Sequence, residues 1–289
     1  MNLPRQLKRA IINADDFGFS PGISAGILRA HSEGVVTSTT ITANMPAAGE
    51  AVGLLALAPR LGVGVHLNAC QGPPLSEPAR QRLANGDGQM ALSAAALLRR
   101  LMLDPSLADA VAAEFEAQIR WTLDRGVTPT HLDSHRHIHA LPAVFARVAD
   151  LARRYNVRFI RAVDERVAGG WSSWPAAPLK QRLTSWMLRR WQRRAWRGHE
   201  DLRATTGLLG VAHTGVISAD WLVRAAAEAR EGTIELMVHP GLIDPAAAGL
   251  TRLRASREAE LAALCDPRVR EAFDKNQVEL THYGCLQPR

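Results

Sequence analysis

Two adjacent carboxylates, Asp15 and Asp16, close the stretch Ile11-Ile12-Asn13-Ala14-Asp15-Asp16-Phe17-Gly18. Acids held close together repel, and a cation offsets that repulsion, so such a pair suits a metal ligand beside a general base. An isolated Asp-Asp is more often a solvated turn, but other segments of this chain carry matching chemistry. His66 stands near the end of Gly62-Val63-Gly64-Val65-His66-Leu67-Asn68, and His239 follows the apolar end of Thr233–Val238. Between them, Thr130-His131-Leu132-Asp133-Ser134-His135-Arg136-His137-Ile138-His139 contributes an acid and four histidines. Asp16, His66 and His135 form a candidate open metal site, one carboxylate and two imidazoles with positions left for water and substrate. Two imidazoles suit zinc, while a carboxylate with open water positions keeps magnesium in play. Asp15 is then the candidate base, His239 the candidate acid, and Asp133 a candidate to orient one ligating histidine. His131, His135, His137 and His139 would share one face of an extended strand, a poor geometry for four ligands to one ion. Only His135 is expected to ligate, with His137 and His139 as supports or packing. Asn44 and Arg161 complete the candidates for support or substrate contact, although Arg158 and Arg161 also read as surface arginines.

The elements that must position these groups alternate between strand and helix. Ala10 to Ala14 reads as a buried strand, with both acids just beyond its end, where the strict alternation of faces no longer applies. A helix over Ile23–Ser32 leads to a β-branched strand, Val35–Ala43, and a helix over 47–58 leads to the His66 strand. The Pro- and Gly-containing stretch 73–91 reads as an irregular insertion. Helices are expected over Ser93–Leu103, Pro105–Arg125, from Pro142 to Arg154 and around Ser256–Leu264, with strands at Val157–Val163, Thr233–Val238 and Val278–Tyr283. This order predicts an α/β fold, and the polar groups fall where strands finish. In a (β/α) barrel those ends converge on one mouth. A barrel of seven or eight mostly parallel strands is therefore expected, with a doubly wound open sheet as the alternative.

With 47% hydrophobic residues, 289 residues can bury a sizeable core, and residues 1–289 read as a single domain. Three cysteines without paired spacing point to reduced thiols and a cytoplasmic protein. No apolar run is long enough to span a bilayer or to form a signal-peptide core. The net charge of +7 has a local origin: Lys180, Arg182, Arg189, Arg190, Arg193, Arg194 and Arg197 are seven bases without an acid between them. The remainder is neutral, which argues against a nucleic-acid partner. Leu179, Leu183, Trp186, Met187, Trp191 and Ala195 recur at helical spacing within the same stretch. Residues 179–197 are thus expected to form a basic amphipathic helix, inserted in the domain, that either meets an anionic membrane surface or packs its stripe on the barrel.

Taken together, Asn13-Ala14-Asp15-Asp16-Phe17-Gly18, Gly64-Val65-His66-Leu67, the 131–139 segment and Met237-Val238-His239-Pro240-Gly241 resemble the YdjC-like carbohydrate deacetylases. That family includes chito-oligosaccharide and hopanoid glycolipid deacetylases. The resemblance runs in order from about Arg9 to the C-terminus. It implies a distorted (β/α) barrel, one divalent metal ion on Asp16, His66 and His135, and Asp15 as base. The acid role of His239 comes by analogy with the related NodB-like deacetylases. The implied reaction removes the acetyl group from an N-acetylated amino sugar or glycolipid, giving acetate and a free amine. The stretch Lys180 to Arg197 departs from the family core and leaves the substrate open. Expected partners are the sugar or glycolipid, an anionic surface at the inner face of the membrane through 179–197, and a second copy of the chain.

Three other readings compete. A glycosidase would use Asp15 and Asp133 as its carboxylate pair and would have no need of His66 and His135. A metal-dependent phosphoesterase is chemically closer but usually bridges a second metal with more carboxylates. A non-catalytic membrane-associated glycolipid-binding protein would use the basic stretch alone. Chelator-sensitive turnover separates the metalloenzymes from the other two, and acetate against phosphate as product separates the metalloenzymes from each other.

Overall fold

A computed structural model describes residues 7–165, 177 and 179–286. Its first half runs β1 (Lys8–Phe17), α1 (Pro21–Ser32), β2 (Ser38–Ile41), α2 (Ala48–Leu54), β3 (Gly62–Leu67), β4 (Gln71–Gly72), α3 (Glu77–Arg82), β5 (Met90–Ala91), α4 (Ala94–Leu103) and α5 (Leu107–Leu123). Then come β6 (His131–Ser134), α6 (Pro142–Arg154), β7 (Phe159–Ile160), α7 (Leu179–Ala195), β8 (Gly207–Leu209), α8 (Ala219–Ala227), β9 (Gly232–Val238), α9 (Ala255–Leu264), α10 (Pro267–Lys275) and β10 (Val278–Thr281). Stretch 73–91 is less irregular than its prolines and glycines suggested: it holds α3 and pairs β5 with β4.

The main sheet has the order β7-β6-β3-β2-β1-β9-β8, with β10 beside the first half of β1, and every pairing is parallel. The expected parallel α/β architecture is thus present, as a curled sheet flanked by helices. Its two edges meet through short bridges, Phe159 with Arg203 and Glu165 with Leu208. There the Ile160 N–H donates to the Arg203 carbonyl (3.0 Å) and the Arg203 N–H to the Arg158 carbonyl (2.8 Å).

Strand alternation sorts the side chains into two environments. Ala10, Ile12 and Ala14 of β1 point outward with Leu236 and Val238 of β9 and pack under α1, α8, α9 and α10. Val65, Leu67 and Leu132 of β3 and β6 point outward beneath α5 and α6. The intervening residues fill the barrel interior, which grades from apolar to charged. Ile11, Phe159 and Tyr283 close one end. Beyond them lie buried His131, Arg161 and Glu235, and then Asp15, His66 and Asp133. Gly64 gives up its side chain to that filling, since a Cβ there would lie 2.5 Å from the His131 ring.

Candidate active site

Asp15 and Asp16 do not lie beyond the end of their strand. β1 continues through Phe17, and its register against β2 shifts between Ala14, opposite Thr39, and Phe17, opposite Ile41. Two residues of β1 therefore oppose Thr40 alone, which is a β-bulge, and Asp16 adopts φ 75. The bulge lets both neighbouring carboxylates face the barrel mouth without ending the strand. Asp15 is 1% and Asp16 2% exposed.

The Asp16 Oδ1 atom lies 3.4 Å from His66 Nε2 and 3.4 Å from His135 Nδ1. Two donors about 2.1 Å from a common ion at a tetrahedral angle are about 3.4 Å apart. This oxygen is buried and has no hydrogen-bond partner among the described residues, although its partner Oδ2 accepts from Arg257 Nη2. Asp133 Oδ1 holds His66 Nδ1 at 2.8 Å, which directs the His66 Nε2 lone pair toward Asp16. A second grouping, Asp15, His66 and Asp133, is also close enough for a cation. There the Arg161 guanidinium already occupies the space between the two acids, which makes the first grouping the better metal site.

Arg161 is fully buried and is no surface arginine. Its Nη1 and Nη2 donate to Asp15 Oδ2 and Oδ1, both at 2.7 Å, and Nη1 also lies 2.7 Å from Asp133 Oδ2. On its other side Nε donates to Glu235 Oε1 (2.8 Å), and Tyr283 donates to Glu235 Oε2 (2.5 Å). The four carboxylates of Asp15, Asp16, Asp133 and Glu235 thus face two guanidinium groups, Arg161 and Arg257. With all four ionised and His66 neutral, two negative charges remain, the balance a divalent cation would restore, although burial raises the Glu235 carboxyl.

The titration of the cluster agrees with that balance. Burial pushes the Asp15 and Asp16 carboxyls up, but Arg161 for Asp15, and Arg257 and His135 for Asp16, hold both well below the usual carboxylate range. Burial opposes charge on His66, yet Asp133, Asp15 and Asp16 override it and raise its pKa to about 9. Without a cation the surplus negative charge draws a proton onto His66, and a cation would displace it. Burial holds His135 below its ordinary value and His239 down at about 4, so both are neutral at pH 7. Orphaned donor atoms, ligand-like spacing and a matching charge deficit together fit a divalent metal ion.

The remaining candidates divide. His239 follows β9; its backbone N–H donates to Glu260 Oε2 (2.7 Å) and its buried Nδ1 has no partner among the described residues. The four histidines of 131–139 do not share a strand face. β6 ends at Ser134 and the chain turns, with Arg136 and His137 at φ 56 and 55. His131 stacks on Tyr283 with ring centroids 3.9 Å apart, and His139 is fixed between Ser134 Oγ and the Arg161 carbonyl. Asn44 ties loops together instead of facing the cluster: its Nδ2 donates to the Gln71 and Pro73 carbonyls and its Oδ1 accepts from Asn68. The sequence does not single out Arg257, Glu235 and Glu260, because each is an ordinary charge on a helix or strand and only the tertiary fold buries it. An acid inside the apolar run of β9 was the available signal for Glu235.

Helix α7 also differs from its expected pattern. Leu188 is buried, and Trp191, Ala195 and Trp196 pack on the core. Leu179, Leu183 and Trp186 face solvent, 69%, 59% and 58% exposed. The outward face continues through exposed Arg190, Arg193, Arg194 and Arg197. Ser185 Oγ to Glu165 (2.5 Å) and Arg189 Nε to Asp164 (2.7 Å) anchor the inner side.

Residues 9–275 match the model of a family described as YdjC-like protein. A carbohydrate deacetylase of Geobacillus stearothermophilus is 32% identical over 274 residues, 94% of this chain and 96% of that protein. One from Thermoanaerobacter pseudethanolicus is 29% identical over 97% of this chain and all of its own length. Among solved structures, an Enterococcus faecalis protein provisionally described as a cellobiose-phosphate cleavage protein superposes with a TM-score of 0.77 at 25% identity, covering 98% of this chain and 100% of that one.

Proposed function

The chain belongs to the YdjC-like family, and from that premise we propose that it is a metal-dependent hydrolase that removes the acetyl group from an N-acetylated amino sugar. One observation carries the reading: Asp16 Oδ1, without a hydrogen-bond partner among the described residues, faces His66 Nε2 and His135 Nδ1, with the Arg161-braced Asp15 carboxylate as its neighbour. Asp16, His66 and His135 would hold the cation, zinc or magnesium. When bound, it supplies the Lewis acidity that polarises the acetamide carbonyl and lowers the pKa of the attacking water.

The chain's own residues do the rest. Asp15 stays ionised and fixed by two hydrogen bonds from Arg161, ready to take the proton the water loses. Asp133 fixes the ring of His66. His239 begins neutral, so the proton it passes to the departing nitrogen is one released within the cycle. Collapse of the tetrahedral intermediate breaks the C–N bond and leaves acetate and a free amine. The test is acetate and amine release from N-acetylated chito-oligosaccharides. Loss of turnover with chelator and its return with added metal are expected; chelator-resistant acetate release would overturn the metal role, and failure across a panel of acetamido sugars the substrate class.

A finer reading, a lipid-linked acetamido sugar met at an anionic membrane, has its own support in α7. The outward face joins three exposed apolar side chains to four arginines, the composition of an interfacial helix, to which each basic residue adds about 1 kcal/mol near anionic lipid. No described helix is long and apolar enough to cross a membrane. Co-sedimentation with anionic but not neutral liposomes, lost in Arg190→Glu/Arg194→Glu, is the expected result. Equal failure on both, with efficient turnover of soluble chito-oligosaccharide, leaves a soluble substrate.

A further inference from the structure

We infer that Arg257 is a positioning residue that makes Asp16 a one-oxygen ligand, and that it does so at the expense of cation affinity. The inference rests on the metal reading above and goes to a point that reading leaves open: which oxygen of Asp16 meets the cation. α9 carries Arg257 to the site, where it is 3% exposed and donates from Nη2 to Asp16 Oδ2. The other oxygen, Oδ1, is the one facing both imidazoles. The two oxygens are thereby divided between a guanidinium and the cation position. A carboxylate with both oxygens free can chelate a cation. Asp16 Oδ2 could do so only in competition with the guanidinium of Arg257.

A second observation says that this contact is what Arg257 is kept for. Its Nε and Nη1 are buried with no hydrogen-bond partner among the described residues. Burying donors unpaired is unfavourable, and an apolar side chain would fill the same volume without that cost. The placement is tightly held nonetheless. A Cβ on Gly241 would come 3.1 Å from Arg257 Cδ, and the Gly241 N–H donates to the Arg257 carbonyl (3.3 Å). The Arg257 side chain thus lies beside the segment that follows His239, with its guanidinium held by Asp16.

The charge of Arg257 has a definite consequence. A guanidinium on one oxygen repels a divalent cation on the other, strongly so in a buried site. Arg257 thus weakens cation binding while denying the cation a further donor atom, which leaves it a stronger Lewis acid. Affinity and turnover should then move in opposite directions when Arg257 is removed. A residue that only supported the fold would move them together.

The test uses Co²⁺ as the probe, with equilibrium dialysis and visible absorption on wild type, Arg257→Gln and Arg257→Lys. Arg257→Gln is expected to bind Co²⁺ at least about tenfold more tightly. Its visible bands should weaken as Asp16 supplies a second oxygen, and turnover should fall by about 10–100-fold. Arg257→Lys keeps the charge and is expected to retain wild-type affinity within about threefold. Arg257→Met keeps the volume without the charge and gives the same tightening should the Gln variant not fold. Parallel loss of Co²⁺ affinity and turnover, or tighter binding with unchanged absorption, would overturn the inference. Wild type that binds no Co²⁺ at all would overturn the metal reading itself.

Discussion

Replacing Arg161 by methionine keeps most of the side-chain volume and removes a guanidinium shared by Asp15, Asp133 and Glu235. Afterwards Asp133 still has His66 and Thr40, and Glu235 still has Tyr283, but among the described residues Asp15 keeps a hydrogen bond only from the Asn13 amide. Breaking a buried ion pair by removing one partner costs about 3–5 kcal/mol, a large share of the roughly 5–15 kcal/mol that holds a domain folded. At about 2–4 °C per kcal/mol for a chain of this size, Tm should fall by about 6–20 °C at pH 7. The pH dependence follows with a definite sign. In wild type, burial pushes the Asp15 carboxyl up but Arg161 overrides it and holds it below 3.8, so this contribution is present above pH 3.8 and lost as pH falls through the folded value. In the variant only the weaker pull of His66 and His239 opposes burial, so the Asp15 carboxyl rises, and its contribution is then present at low pH and lost as pH rises through the raised value. The Tm gap should be widest near pH 7–8 and shrink toward pH 4.5. Scanning calorimetry across that range is the assay, and an unchanged Tm at pH 7, or a gap independent of pH, would refute the reasoning.

Asp15→Asn keeps the size and loses the proton acceptor, so turnover should drop by roughly two to four orders of magnitude with metal content unchanged; if metal is lost while activity survives, Asp15 and Asp16 exchange roles. Glu260 accepts the backbone N–H groups of His239 and Gly215, and burial raises its pKa to about 7. Because its folded value lies above the unfolded one, its contribution is complete below pH 4.5 and is lost as pH rises through about 7. Glu260→Gln should therefore flatten the decline of Tm between pH 5 and 8, an effect of up to about 3 kcal/mol; parallel wild-type and variant curves would show that Glu260 does not titrate in that window.

Much of this site is visible in one dimension, because the residues that meet at the mouth each follow or end an apolar strand run. Asp15 and Asp16, His66, Asp133 and His135, and His239 announce themselves in this way, and the strand–helix alternation announces the parallel sheet. What the sequence hides are features decided by single backbone angles or by distant packing. The positive φ of Asp16 turns a strand end into a bulge, and the turn at Arg136 and His137 breaks an alternation that reads as one continuous strand. Arg161 looks like a surface base until β7 carries it into a ring of carboxylates. Of the expected α7 stripe, Trp191 and Ala195 pack on the barrel beside Leu188, which the stripe did not include, while Leu179, Leu183 and Trp186 stay outside. Local periodicity gives an apolar face but not which of two apolar rows meets the core.

Asp16, His66 and His135 are the proposed metal ligands, and metal content per chain tests that assignment most directly. After metal removal and equilibrium dialysis against Zn²⁺, elemental analysis of wild type should return one bound ion per chain. His66→Ala and His135→Ala should lose that ion and N-acetyl hydrolysis together. A His66→Ala protein that kept full metal content and full turnover would contradict the account.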